Sequence, residues 1–289
     1  MKEWYTGVKL KHLKLIPLGV AIIVLEIVNT KWKFRRYTNL ESLANLFDTY
    51  SLRARVKPAA FIVLPIALSI ITFYEPARTA GGVLITFLMS FGVMSYTANQ
   101  MSTQGNIVQK RLFNKWGGSP STILLRYRND EIDRNTKQRY QKFLSKHISD
   151  YEAITPEEEA TNPLITERKY ESAIKYLLEH TRDKQKYNLI FSELITYGYS
   201  RNTFAFKWLS VVISSSSLIV SSMIIYITHL ENNAINLKLI FTIPFEQTAL
   251  LVFLLLLIFN SLFLVNENWV RVRAFAYGKR LLAACDKID

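Results

Sequence analysis

Polar and apolar positions fall along this chain in blocks. Residues 58–74 (PAAFIVLPIALSIITFY) carry no charge, and neither do residues 79–109, whose apolar part is 81–96 (GGVLITFLMSFGVMSY). Residues 208–228 and 247–266 are uncharged over 21 and 20 positions. About 20 apolar residues at ~1.5 Å rise cross a ~30 Å hydrocarbon layer, so the last two blocks predict spanning helices. The first two are shorter and hold Pro65, Gly81 and Gly82, but only six residues separate them. They read as a helical hairpin, because a lone half-span leaves backbone groups unpaired in lipid. The alternative, two core hairpins of a large soluble protein, fits poorly, since soluble helices rarely lack charge over such lengths.

The polar blocks show helical spacing too. Thr38 and Glu41 stand at capping-box spacing. Leu40, Leu43, Phe47 and Tyr50 follow on one helical face, and Arg53, Arg55 and Lys57 close the segment. Residues 15–28 (LIPLGVAIIVLEIV) are apolar but broken by Pro17 and Glu26, with basic flanks that argue against crossing. Between the second and third spans, STILLRYR predicts a short helix opened by Ser119 and Pro120. DRNTKQRYQKFLSKH predicts a second, with Tyr140, Phe143, Leu144 and His147 inward. ERKYESAIKYLLEH predicts a third, with Tyr170, Ile174, Leu177 and Leu178 inward. The stretch ISDYEAITPEEEATNPLI reads as an exposed acidic connector. Gly198 predicts a kink or local unwinding in the segment leading to the third span. No alternating strand pattern and no repeat is present.

The expected fold is therefore an all-α membrane protein: four transmembrane helices with a helical cytosolic domain inserted between spans 2 and 3. Its parts are a basic N-terminal segment (1–57), a hairpin (58–98), the inserted domain (99–206), a second hairpin (207–266) and a basic tail (267–289). Four spans leave both termini and the inserted domain on one side, which holds 34 of the 36 lysines and arginines. Only Arg78 and Lys238 lie in the short loops opposite. That asymmetry assigns the basic side to the cytoplasm. The surplus, part of the chain's net +13, exceeds what orientation needs and suits anionic lipid or a polyanionic ligand.

Little in the sequence points to catalysis. The four histidines stand apart, and the single cysteine, Cys285, excludes a disulfide or a cysteine metal site within one chain. Glu157, Glu158 and Glu159 read as solvated acids rather than metal ligands. No catalytic residue, metal or cofactor is expected.

Binding chemistry gathers around KRLFNKWGGSP. Lys110, Arg111 and Lys115 lead into Trp116; Gly117 and Gly118 turn the backbone; Ser119 and Pro120 open a helix whose amides face outward, an anion-binding arrangement. Arg126 and Arg128 could clamp phosphates, and Trp116 could stack a base. The competing reading packs Trp116 in the core. Arg139 and Lys142, with Lys146 beyond, form a basic helical face, and Arg201 and Asn202 stand just above the third span. Within that span Ser210, Ser214, Ser217 and Ser221 form one hydroxyl stripe, suited to tight helix packing or to lining a pore.

KWGGSPSTILLR, TPEEEATNP, HTRDKQKY and TYGYSRN, in this order between two pairs of spans, resemble the membrane effectors of Hailong-type anti-phage defence operons. The resemblance covers roughly residues 37 to 280 and leaves 1–36 outside. It implies a homotetrameric ion channel of the bacterial inner membrane, paired with a nucleotidyltransferase-like enzyme. That enzyme's product, a short single-stranded oligodeoxyadenylate, would bind the basic pocket and hold the channel shut. Its loss during infection would open the pore, depolarise the membrane and stop growth, an abortive infection. Read alone, the residues leave open a cyclic-nucleotide-activated effector or a non-conducting scaffold with a basic cytosolic face.

Overall fold

The computed structural model describes residues 48–230 and 243–288. The amphipathic helix expected from Thr38, the apolar run 15–28 and Lys238 lie outside them. Among the described residues every regular element is a helix. Four of these are long and apolar enough to cross a membrane.

The first is α1, Thr49–Phe73, whose opening amides are capped by the Asp48 carboxylate. Its first turns widen into a π-helical segment, Leu52–Val56, where the Lys57 N–H reaches back to the Leu52 carbonyl. Pro58 explains part of this. It has no N–H to give the Ala54 carbonyl four residues earlier, so that oxygen is left over within the helix. After a 3-10 turn, Glu75–Arg78, Thr79 caps α2.

Helix α2, Ala80–Trp116, runs unbroken for 37 residues. It carries its apolar half straight into the polar part of the chain, across the boundary expected near residue 98. It stops where Gly117 turns left-handed at φ 83°. The Gly118 N–H then donates to the Phe113 carbonyl at 2.8 Å, closing the helix as a Schellman motif does.

Shorter helices follow: α3 (Pro120–Leu125), α4 (Arg134–His147), α5 (Pro156–Thr161) and α6 (Pro163–His180). Side chains of Ser119, Asp133 and Thr155 cap the first three. Helix α7 (Asn188–Ala205) hands over to α8 (Lys207–Ile225) at Phe206. Helix α9 (Phe245–Phe259) continues through a π turn to Leu264, and α10 (Glu267–Leu282) follows, capped by Asn266.

Helices α1, α8 and α9 pack together at the apolar end. At the polar end one core joins α3, α4, α6 and α10 around Leu124, Leu125, Leu144, Tyr170, Leu177, Leu281 and Leu282. The basic C-terminal segment thus contributes Phe275, Leu281, Leu282 and Cys285 to that core. Burial pushes the Cys285 thiol up to about 12. Such a thiol holds almost no thiolate near neutral pH. Maleimide at about pH 8 is expected to leave the folded protein unlabelled and to label it after SDS denaturation; labelling of the folded protein would show that α10 leaves the core.

The structure departs from four expectations. STILLRYR is helical only to Leu125, because the Arg126 backbone is extended. Leu178 faces out, 41 % exposed, and Ala173 is buried instead. The acidic connector contains α5 and buries Glu159. Helix α7 passes through Gly198 without a break. That glycine serves close approach: a side chain there would collide with the Tyr50 hydroxyl and crowd Ala54.

Candidate functional site

The leftover Ala54 carbonyl is where three helices converge. Asn202 Nδ2 on α7 donates to it at 2.6 Å. Gly105 on α2 sits against the Asn202 and Arg201 side chains, with no space for a Cβ. Arg201 Nη1 donates to Gln109 Oε1 of α2 at 2.6 Å, and the Tyr197 hydroxyl donates to the same oxygen at 3.0 Å. Arg201 Nε and Nη2 complete the cluster on Asn202 Oδ1, each at 3.3 Å. Burial raises the Tyr197 hydroxyl's pKa, so it stays a proton donor.

Arg201 and Asn202 are 7 % and 0 % exposed. Arg201 has no carboxylate partner among the described residues, only neutral oxygens and the Tyr197 ring at 5.7 Å. A buried polar group left without a partner is costly. These hydrogen bonds therefore have one good arrangement, and they tie α1, α2 and α7 together where α7 passes into α8. The sequence reading placed Arg201 and Asn202 near the third span but missed Gln109, Gly105 and Ala54. One signal was legible: a proline four residues after Ala54 leaves a carbonyl to be claimed by something else.

At the glycine motif Trp116 takes the packing reading. Trp116 donates from Nε1 to Glu267 Oε1 at 3.1 Å and packs against Phe113 and Phe275. Lys115 pairs with Glu267 Oε2 at 2.7 Å. The Lys115 bond is the main influence holding the Glu267 carboxyl below its usual value, ahead of the Trp116 bond. Trp116 thus fastens α2 to the start of α10, and its ring is a core contact rather than a free stacking platform. Arg126 is buried: Nε donates to Glu167 Oε2 at 2.9 Å, and Nη2 donates to Glu167 Oε1 and to the Gly117 carbonyl. The expected phosphate clamp at Arg126 is therefore corrected to an internal pair, with Gly118 making room for the guanidinium.

Glu159, read as solvated, accepts from the Tyr127 N–H at 2.7 Å, the Arg128 N–H at 3.4 Å and the Tyr170 hydroxyl at 2.6 Å. Beside it Lys137 is buried, and its ammonium donates to the Arg126 and Asn129 carbonyls. Burial lowers the Lys137 pKa, opposed by Asp130, Glu159 and Asp133. An open cleft of about 510 Å³ borders this cluster, lined by Tyr127, Arg128, Asp130, Arg134, Lys137 and Glu159. Its bases and acids nearly balance, which makes it a poor cradle for a polyanion.

The other expected contacts are spread out. Arg128 lies 3.7 Å from Glu159, and Arg139 grips Asp286 at 2.7 Å; both are 58 % exposed at the side chain. Lys110, Arg111 and Lys142 are exposed and make no ion pair among the described residues. Among the described residues these cations point to separate partners or to solvent rather than to one another.

The serine stripe takes part in packing. Ser210, Ser214 and Ser221 are buried inside the subunit and Ser217 half-buried. Ser210 lies 3.3 Å from Ser261 of α9. Small hydroxyl residues let α8 approach its neighbours closely, which is the packing reading of the stripe.

The fold and junction define a class: an all-helical protein with four helices apolar enough to cross a membrane, locked to a polar helical block by a buried arginine cluster. No protein-family model matches the chain, and neither does any curated protein or solved structure.

Proposed function

We propose that this protein is a gated ion channel of the bacterial cytoplasmic membrane, with its polar helical block in the cytoplasm setting the state of its spans. The observation that carries this reading is the junction. Helix α2 is continuous from apolar to polar ends, and α7 meets α8 beside a buried cluster that also holds α1. A shift of the block against α2 or α7 therefore has to move a span or leave Arg201 and Asn202 unpaired. The 34 to 2 split of basic residues supports the orientation.

The regulating ligand is a phosphate chain, drawn by the cytoplasmic surplus of cations. The resemblance to Hailong-type effectors makes it a single-stranded oligodeoxyadenylate from a partner nucleotidyltransferase-like enzyme, bound preferentially to the shut state of a homotetramer. The channel performs no catalytic step of its own. Internal pairing of Lys115, Arg126 and Arg139 favours a second reading, a non-conducting membrane scaffold.

Liposomes separate the two. The channel reading expects ion flux from purified protein, suppressed by added oligodeoxyadenylate, with binding that weakens steeply as salt rises. Tight membrane insertion without flux would leave the scaffold; flux indifferent to the oligomer, with no binding, would remove the ligand from the proposal.

A further inference from the structure

Helix α2 is the least covered of the four apolar helices. Only 6 % of its apolar window is buried, against 33 % for α1, 17 % for α8 and 22 % for α9. Lipid suits the apolar half, but the exposure continues past it. Gly92, Tyr96, Asn99, Thr103, Asn106 and Lys110 are all exposed. Their spacing alternates four and three residues, the 3.5-residue period by which one helix keeps a constant face toward another.

Chemistry along this face is unlike an ordinary wet surface. Residues 79–109 hold no charge at all, whereas the exposed face of α4 carries Arg139, Lys142 and Lys146. Ile107 lies next to the row, 56 % exposed, in the polar half of the helix. Depletion of charge is what marks the centre of a protein interface. Amides and hydroxyls on the same face are good partners for water and ions.

We infer that copies of this chain meet along α2, so that Asn99, Thr103 and Asn106 line an ion path that no single chain contains. The inference rests on the channel reading and replaces α8 with α2 as the lining helix. The area is of the right scale. From Ala80 to Lys110 the helix runs about 45 Å and is ~10 Å wide, so each flank offers about 450 Å². In a ring each seam joins one flank from each of two copies, about 900 Å² in total, close to the ~1,000 Å² that a specific interface should clear. The same arrangement gathers one Lys110 from each copy at the end of the path. Their repulsion favours an anion between them, so the phosphate site too is incomplete without the neighbouring copies.

Cysteine scanning tests this, because the native Cys285 is buried. Asn99→Cys, Thr103→Cys and Asn106→Cys, oxidised in membranes, are expected to convert most of the protein to disulfide-linked dimers. Ser216→Cys on α8 and Lys175→Cys on α6 are expected to remain monomeric on gels. Thiol reagents at Thr103→Cys should alter flux, and Lys110→Gln should weaken block by inorganic polyphosphate about tenfold. Cross-links confined to α8 or α6, with flux intact, would overturn the α2 assignment and leave the channel reading standing. Cross-links along α2 with no flux would sink the channel reading and keep the interface. Protein that stays monomeric with all three α2 thiols shielded would show another segment covering this face, and the inference would fall.

Discussion

Glu159→Ala is expected to cost the folded protein about 3–5 kcal/mol, the scale for breaking one side of a buried charged cluster. The carboxylate serves two backbone N–H groups and the Tyr170 hydroxyl and faces buried Lys137. Removing it leaves those donors without water and strips Lys137 of a nearby negative charge. Thermal unfolding in detergent should shift down by roughly 10 °C. Glu159→Gln should fall between, since its amide keeps one acceptor but presents N–H groups to other donors. Glu158→Ala is the comparison: it removes only the pair with half-buried Lys169, worth about 1 kcal/mol or less. Equal small effects from both alanine variants would return Glu159 to the solvated connector that composition suggested.

Gly105→Ala should cost about 2–4 kcal/mol, combining overpacking with broken buried hydrogen bonds. The new methyl overlaps Asn202 Oδ1 and crowds Arg201 Nε. Asn202 is fully buried and bonded to the Ala54 carbonyl, so it cannot swing aside without orphaning that oxygen. Gly81→Ala, in the same helix but with open space around it, should be neutral or stabilise by up to about 1 kcal/mol through helix propensity. The two substitutions are chemically identical, so their difference isolates the junction. If the channel reading holds, Gly105→Ala should also make flux insensitive to ligand while Gly81→Ala keeps the response. Matching thermal shifts for the two would show that α2 and α7 do not pack as described.

Apolar helices were legible because a long uncharged run has few folded fates. The cap at Ser119 was legible because a side-chain oxygen three residues before a helical amide is a local geometry. The acidic connector misled for the opposite reason. Three glutamates in a row look alike, and only the fold turns Glu159 toward Tyr170. Arg126 misled similarly: its partner Glu167 lies 41 residues away, and nothing local distinguishes a clamp for phosphate from a clamp for a carboxylate. The serine stripe announced a special face on α8 without saying what covers it.

By itself the sequence determined helical class, the number of apolar helices and the lopsided placement of positive charge, all properties set within a turn or two of chain or by simple counting. Tertiary structure alone decided which polar groups are used up internally. Trp116 reaches Glu267, Asn202 reaches Ala54, and Gly105 yields its space to both α7 side chains. The physical reason is that a buried donor must find an acceptor somewhere, and in a packed helical protein that acceptor is set by how helices cross, not by neighbours in sequence.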